Sequence, residues 1–488
     1  MSSAETSSDG ARLLAVPADS DSPNLEPTVS PKTSPPSQTT SENAPLSSAS
    51  ASPVFSPRRR TFILILVSAA MLVGPIGGSI YNPLIVTLQE ALQCPDVEIN
   101  ATLTVYVLFQ GFAPLLVWGP IGDIYGRRPV YLVSFLIFIL ASIASVFSVN
   151  VWMLFVCRLF TSFGASAVNT TGVGTIADVF PKEERSKALG WFYLGPMIGP
   201  FIGGPLGGLI ASSLGWRYCF AFLAIIGAVL LVNVYFFLPE TLPKNIVFKK
   251  KPNAFRSMHK LRHPFVSLVT FWVCILFSSN FAVSTQIARQ YTRVYGFSEV
   301  QVGLVVLSTA SGNIVGSLIG GWYADRSVRR GQSQNTEGGR LGPVRYVAED
   351  RLRSTWVSAV SLPAGLLIYG WGIQSRLHFM VPIVGQFLLG YGMLSISTSA
   401  NAYLVELWPA ESASTMSVNN FWRYIAAAIT PLFITSLEDT LGAGPLYSGY
   451  ACLHLFGAAG VLWIVLRGTK VRMAREPWKS ESEEGGKG

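Results

Sequence analysis

Gly119-Pro-Ile-Gly122-Asp123-Ile-Tyr-Gly126-Arg127-Arg128-Pro129 joins two long apolar runs, and its reading governs the rest of the chain. Glycines let two helix ends approach closely, as a sliding contact requires. Asp123 can face a neighbouring helix N-terminus, where a carboxylate is stabilised. Arg127 and Arg128 can pair with it in one state and release it in another. A short loop of membrane-orienting arginines would account for Arg127 and Arg128, but not for the spacing of the glycines and the aspartate. Gly119, Asp123, Gly126, Arg127 and Arg128 therefore suit a close contact that forms in one state and is released in another. The stretch has an echo, Gly321-Trp-Tyr-Ala-Asp325 followed by Arg326, which adds Asp325 and Arg326 to that set. A second echo pairs Asp178-Val-Phe-Pro181-Lys-Glu183 with Glu406-Leu-Trp-Pro409-Ala-Glu411. The repeats predict two related halves. Parallel halves around a midplane site are a transporter arrangement, in which one half rocks against the other.

The loop sits in a chain of 488 residues that is 50% hydrophobic and only 13% charged, with a mean hydropathy of +0.42. A soluble domain carries about 25% charged residues, so this chain has too little charge to cover a water-facing surface. A bilayer span needs roughly 20 apolar residues. Val130 to Trp152 and Tyr218 to Leu238 reach that length without one acid or base. Hydropathy predicts about twelve spans, near 61–90, 101–118, 130–149, 151–179, 187–212, 217–238, 264–290, 299–323, 354–374, 379–407, 413–437 and 446–467. The fold class is then an all-α polytopic membrane protein of two six-helix bundles, residues 58–238 and 264–467. Residues 1–57 read as a disordered tail rich in Ser, Pro and Thr, 239–263 as a basic linker and 468–488 as a short tail. Ser-Pro pairs such as Ser30-Pro31 leave phosphorylation of the first tail open.

The net charge of +9 does not mark a nucleic-acid binder, because the bases stand between apolar blocks. Arg58, Arg59 and Arg60 precede the first span, Lys182, Arg185 and Lys187 follow the fourth, and Lys249, Lys250 and Lys251 follow the sixth. Arg329 and Arg330 follow the eighth span and Arg467, Lys470 and Arg472 the last. By the positive-inside rule both termini are cytoplasmic. Asn100-Ala-Thr102 is a glycosylation sequon at the mouth of the second span and is expected to stay unmodified. Cys94, Cys157, Cys219, Cys274 and Cys452 form no CxxC pair and lie mostly inside spans, so neither a metal site nor a disulfide framework is expected.

Arg158 stands inside the fourth span, where a charge is costly and is usually functional or paired. The alternative is an arginine that reaches the outer interface. The fifth span reads Gly195-Pro196-Met-Ile-Gly199-Pro200-Phe-Ile-Gly203-Gly204-Pro205-Leu-Gly207-Gly208. Gly195, Gly199, Gly203 and Gly207 recur every four residues, lining one face that permits close packing, while the prolines add bends. A tight helix interface without directional meaning explains the same pattern.

The loop at Gly119, the arginine in the fourth span and the glycine-rich fifth span together resemble the major facilitator superfamily, over about residues 60 to 467. Asp178-Val-Phe-Pro-Lys-Glu-Glu-Arg185, Gly215-Trp216-Arg217 and Leu238-Pro-Glu-Thr241 resemble its fungal twelve-span drug:proton antiporters. Ala348-Glu-Asp-Arg-Leu-Arg353 and Val418-Asn-Asn-Phe-Trp-Arg423 are similar to the group that exports quinidine and dityrosine. The chain departs from that group after Thr241, where Lys244-Asn-Ile-Val-Phe replaces a Gly-Asn run. The resemblance implies that the Gly119 loop meets the eleventh span and latches one conformation, and that Arg158 serves proton coupling. It also implies that the fifth span marks antiporters. The cavity would be lined by spans 1, 4, 7 and 10 with help from 5, 8 and 11. Asn82, Asn169, Tyr193, Asn280, Asn401, Asn420 and Arg423 are then the candidate cavity residues. Any single Asn among them is read first as a helix-packing hydrogen bond.

The expected function is proton-coupled export of a drug, secondary metabolite or organic acid across the plasma membrane, with a vacuolar membrane left open. Partners would be the small molecule, protons and the bilayer, with no nucleic acid, no cofactor and a monomeric state. Two readings stay open beside it: an importer of an organic acid or nutrient, and a membrane sensor that does not transport. His259, His263, His378 and His454 form no catalytic or metal cluster, and no nucleophile elbow or phosphate-cradling loop appears, so an enzyme is not expected.

Overall fold

The computed structural model describes residues 55–242, 263–337, 350–407 and 412–475. Most of the expected tails and linker, with Pro409 and Glu411, lie outside the described residues. Among those described, regular structure is helical throughout. Eleven helices are long and apolar enough to cross a bilayer. They are α1 (Pro57–Leu92), α2 (Asp96–Tyr125), α3 (Arg127–Val146), α4 (Val151–Val179), α5 (Ala188–Leu214) and α6 (Trp216–Phe237) in the first half. The second half has α7 (Pro264–Tyr295), α9 (Trp356–Gln374) and α10 (Met380–Leu407), with α8 (Glu299–Glu337) and α12 (Ala443–Arg475). One more helix of span length, α11 (Ser412–Leu441), is not among the eleven. Asn419, Asn420, Arg423, Glu438 and Asp439 interrupt its apolar run. α8 also continues past the expected 323 to Glu337, and α12 past 467 to Arg475.

Local sequence explains the irregularities. Gly74-Pro75 and Asn82-Pro83 break α1 into helical pieces with a 3-10 turn at Asn82–Leu84, since a proline gives no N–H and crowds the preceding turn. Pro114 opens a π-helical stretch, Pro114–Trp118, just ahead of Gly119 in α2. Asn150 caps α4, its Oδ1 accepting from the Met153 N–H at 2.7 Å. Gly126 links α2 to α3 at φ +103°, a conformation that side chains disfavour.

Ion pairs and packing fix which ends lie together. Arg60 at the start of α1 reaches Glu184 before α5, and Arg127 at the start of α3 reaches Asp178 at the end of α4. In the second half Arg351 reaches Glu406 at the end of α10. We call this the tail end, since the described chain starts there. At the opposite, far end, Arg217 donates to the Ser148 carbonyl and Tyr295 to the Leu377 carbonyl. Packing repeats between the halves: α3 lies on α4 and α6, as α9 lies on α10 and α12. Across the halves, α5 packs on α8 and α11 packs on α2, the same contact made twice with the halves exchanged.

The outer surface is apolar. Val133, Leu136, Leu140, Ile143 and Phe147 form an exposed stripe on α3, and Ile225, Val229, Val232 and Phe236 form another on α6. Such surfaces are stable against lipid tails, not water.

Candidate transport site

Among the described residues, polar side chains gather in a charged loop at the tail end, a cluster at mid-span, and a seam between the halves that reaches the far end.

In the loop, Arg127 joins two carboxylates, with Nη1 at 2.7 Å from Asp123 Oδ1 and Nε at 3.2 Å from Asp178 Oδ2. Glu240, just past α6, caps the start of α3 by accepting from the Arg127 and Arg128 N–H groups at 2.9 and 3.2 Å. An acid at a helix N-terminus satisfies orphan donors and the helix dipole together. Arg128 in turn donates to the Tyr235 carbonyl at 2.6 Å. Bulk is excluded here, because a Cβ on Gly126 would lie 2.8 Å from Glu240 Cδ, and one on Gly119 3.0 Å from the Pro114 carbonyl. The same ion pair recurs in the second half as Arg351 Nε to Glu406 Oε1 at 2.9 Å. Arg326 lies with its guanidinium 5.1 Å from the Trp322 ring centre. Of Asp325 only the helical backbone is described.

At mid-span, Arg158 is fully buried. Its Nη1 donates to the Gly77 carbonyl in α1 at 2.8 Å, and its guanidinium lies 3.9 Å from the Tyr106 ring centre and 4.4 Å from that of Tyr81. Nε and Nη2 find no hydrogen-bond partner. Arg158 therefore does not reach an interface; it is enclosed by α1 and α2. Tyr106 also donates to the Gly74 carbonyl at 2.6 Å, and about three turns further along α4 Asn169 donates to Gln110 at 3.3 Å. From the other half, Tyr424 packs so closely on α2 that a Cβ on Gly111 would sit 2.8 Å from its ring. Arg423 is held over the Phe277 ring at 4.6 Å and its neighbour Tyr424 at 5.1 Å. Tyr193, at the helix break within α5, is 47% exposed.

The remaining expected cavity residues divide. Asn401 accepts from Asn419 at 3.1 Å, a bond between α10 and α11. Asn420 Oδ1 is buried with no hydrogen bond, so Arg423 meets ring faces and not Asn420. Asn280 is partly exposed on α7, and Asn82 donates across the halves to Ser284 at 2.9 Å.

That last bond belongs to the seam. Around it, Thr87 donates to Glu299, and Asn100 donates to Thr435 at 2.9 Å. Arg289 of α7 pairs with Asp96 and donates to Gln89 at 3.2 Å. Asn100 is thus buried inside the sequon's own helix contact. The glycines of α5 form two rows with different neighbours. Gly195, Gly199, Gly203 and Gly207 face α1: a Cβ on Gly199 would lie 2.5 Å from Pro75 Cβ, and one on Gly207 2.5 Å from the Ile80 carbonyl. Gly204 and Gly208 face α8 across the halves, where a Cβ on Gly303 would lie 2.6 Å from the Gly204 carbonyl. Pro196 stands in the first turn of the segment Leu194–Leu214, with Pro200 and Pro205 inside it.

Sequence reading did not single out Glu240 as a partner of the loop, nor Arg289, Asp96 and Glu299 as a seam. Each is a charge within a few residues of a span end, a signal that could have been paired by end and by sign.

Comparison with known proteins follows this geometry. Residues 67–431 match the model of the Major Facilitator Superfamily. The chain is 28% identical to Dityrosine transporter 1 of Saccharomyces cerevisiae, over 84% of this chain and 80% of that one. It is 26% identical to MFS antiporter QDR3 of Candida albicans, over 84% and 78%, and 27% identical to Citrate exporter 1 of Aspergillus niger, over 80% and 82%. Among solved structures it is similar to a bacterial homologue of the human lysosomal transporter Spinster in an inward-facing, unoccupied conformation. That likeness has a TM-score of 0.60 at 14% identity, covering 84% of this chain and 96% of the other.

Proposed function

The chain belongs to the Major Facilitator Superfamily as a multi-pass membrane transporter, not an enzyme, and on that premise we propose that it is a proton-coupled antiporter. It exports a small organic molecule, a drug, secondary metabolite or organic acid, by alternating access. It works as a monomer in the plasma membrane with both termini cytoplasmic.

The seam carries this reading. Asn82–Ser284, Asn100–Thr435 and Arg289–Asp96 join the halves at the far end, while α5 and α8 meet backbone to backbone through Gly204 and Gly303. A contact of that closeness permits rocking without rupture of either half. We read the state as closed outward. Two of the named relatives are an antiporter and an exporter, which favours outward transport over import.

Deep carboxylates, which a polycation would need in place of its water shell, are not what the spans provide. Asp96, Asp123, Asp178, Glu299, Glu406 and Glu438 all stand near helix ends, so polyamines rank low as substrates.

The test uses sealed inside-out vesicles with an acid interior and a panel of organic acids, lipophilic cations and polyamines. Uptake of one class that collapses with the pH gradient is expected. Uptake that requires the opposite gradient would make the protein an importer and sink the proposal.

The loop contributes to gating in this scheme. Asp123 is 54% exposed in its pair with Arg127, and an exposed pair is worth up to about 1 kcal/mol. Asp123→Asn is therefore expected to slow turnover up to about fivefold with little change in KM, since about 1.4 kcal/mol is tenfold. A loss confined to KM would place the loop on the substrate and not on the gate.

A further inference from the structure

The two mid-span arginines are in different situations, and the difference points to the ligand. Arg158 is closed off by its rings and its carbonyl. Arg423 stands about 16 Å along α11 from its start, at 1.5 Å per residue, well inside the span. It rests on the faces of Phe277 and Tyr424, is only partly buried, and its Nε is a buried donor with no acceptor. Among the described residues no carboxylate pairs with it. A ring face attracts a cation but accepts no N–H in the guanidinium plane. The fork of a guanidinium matches one group above others, a carboxylate bound by two parallel hydrogen bonds.

The surroundings supply the rest of a binding site. Tyr424, beside Arg423, packs on Gly111 of α2 in the first half, where a Cβ would lie 2.8 Å from its ring. Phe421 stacks against Phe112 at 5.6 Å across the halves. Gln110 keeps a buried amide nitrogen without a partner. Ring faces thus border the Arg423 guanidinium, and through Tyr424 it stands against the stretch of α2 that holds Gln110 and Gly111. We propose that the mid-span cluster binds a carboxylate-bearing substrate, its anionic group received by Arg423 and its apolar body by Phe277 and Tyr424. This deepens the export reading and rests on the mid-span cluster being the transport chamber.

The experiment measures equilibrium binding to the full-length purified chain in nanodiscs of neutral lipid, so neither direction nor protons enter. The probes are 3-phenylpropionate, citrate and 3-phenylpropionamide, the last matching the first in shape without its charge. The wild type should bind at least one acid and prefer 3-phenylpropionate to its amide. Arg423→Gln should weaken acid binding roughly 10- to 100-fold, the size of a charge-assisted pair of hydrogen bonds. Arg423→Lys, which keeps the charge and loses the fork, should fall between, and all three proteins should elute as folded monodisperse species.

Equal affinity for acid and amide overturns the assignment. So does binding of no acid up to about 10 mM, the weak limit of a useful site. An equal loss for all probes in Arg423→Gln means a structural role and also overturns it. Addition of anionic lipid that displaces the acid at the same Arg423 dependence would give the site to a headgroup and overturn the substrate reading. Charge-selective binding without gradient-driven vesicle transport would leave this site standing and remove proton coupling instead. Gradient-driven export that Arg423→Gln leaves intact would do the reverse.

Discussion

Arg158→Ala is expected to cut gradient-driven uptake into inside-out vesicles about 100-fold or more, with the protein still inserted and folded. The size follows from what the side chain holds. A desolvated cation over an aromatic face contributes about 2 kcal/mol, a hydrogen bond to a charged group about 1.5–3 kcal/mol, and each 1.36 kcal/mol is roughly a factor of ten. Arg158 makes two of the first, to Tyr106 and Tyr81, and one of the second, to the Gly77 carbonyl. Gly77 lies in the segment of α1 between its two proline breaks, so the arginine ties the most irregular helix to α4. A guanidinium stays charged at any physiological pH, which rules it out as the carrier of the proton. We propose that it acts as a fixed charge that sets how proton and substrate compete. Substrate counterflow without a pH gradient separates that role from a structural one. Counterflow should survive in Arg158→Ala while gradient stimulation disappears. Loss of both would make Arg158 a packing residue, and normal gradient-driven uptake would remove it from coupling altogether.

The fold was legible because lipid simplifies the problem. Spans must be apolar and helical, so length and hydropathy located nearly every helix, and the paired echoes at Asp123/Asp325 and Asp178/Glu406 exposed the two halves. The second echo has a physical counterpart in the Arg127–Asp178 and Arg351–Glu406 ion pairs. Eleven helices met the apolar standard, against about twelve spans expected from hydropathy. The shortfall is α11, whose Asn419, Asn420 and Arg423 make it polar where it approaches the other half. What the sequence did not disclose is partnership. A period of four shows that residues share a face, but not which helix that face meets. Asn82 illustrates the limit: its span makes it a cavity candidate, but its bond to Ser284 in the other half is visible only in the fold. Glu240 was visible only as part of Leu238-Pro-Glu-Thr241. Its work on the α3 N-terminus depends on the end of α6 folding back to Gly126, which no local pattern encodes.

The two glycine rows of α5 turn that limit into a second large effect. Gly199 faces α1 within its own half, and a side chain there would press on Pro75 and the Ile76 backbone, neither of which can yield. Gly303 faces α5 from the other half, and its added Cβ would meet the Gly204 carbonyl and lie 3.2 Å from Pro205 Cα. Overpacking a tight contact costs about 1–3 kcal/mol, occasionally more. In Gly199→Val that cost falls on the fold of the first half, and the yield of monodisperse protein should drop severely. In Gly303→Val it falls only on the state in which α5 and α8 touch. That protein should fold, yet shift the balance away from far-end closure by about 10- to 100-fold and lose most transport. Spin labels at Phe147→Cys and Leu377→Cys, both exposed at the far end in a chain freed of its native cysteines, report the separation of the halves. A longer distance in Gly303→Val with normal folding is the expected result. An unchanged distance, or equal loss of folded protein in both variants, would mean that the two rows have one structural function and that α5 against α8 is not the surface on which the halves move.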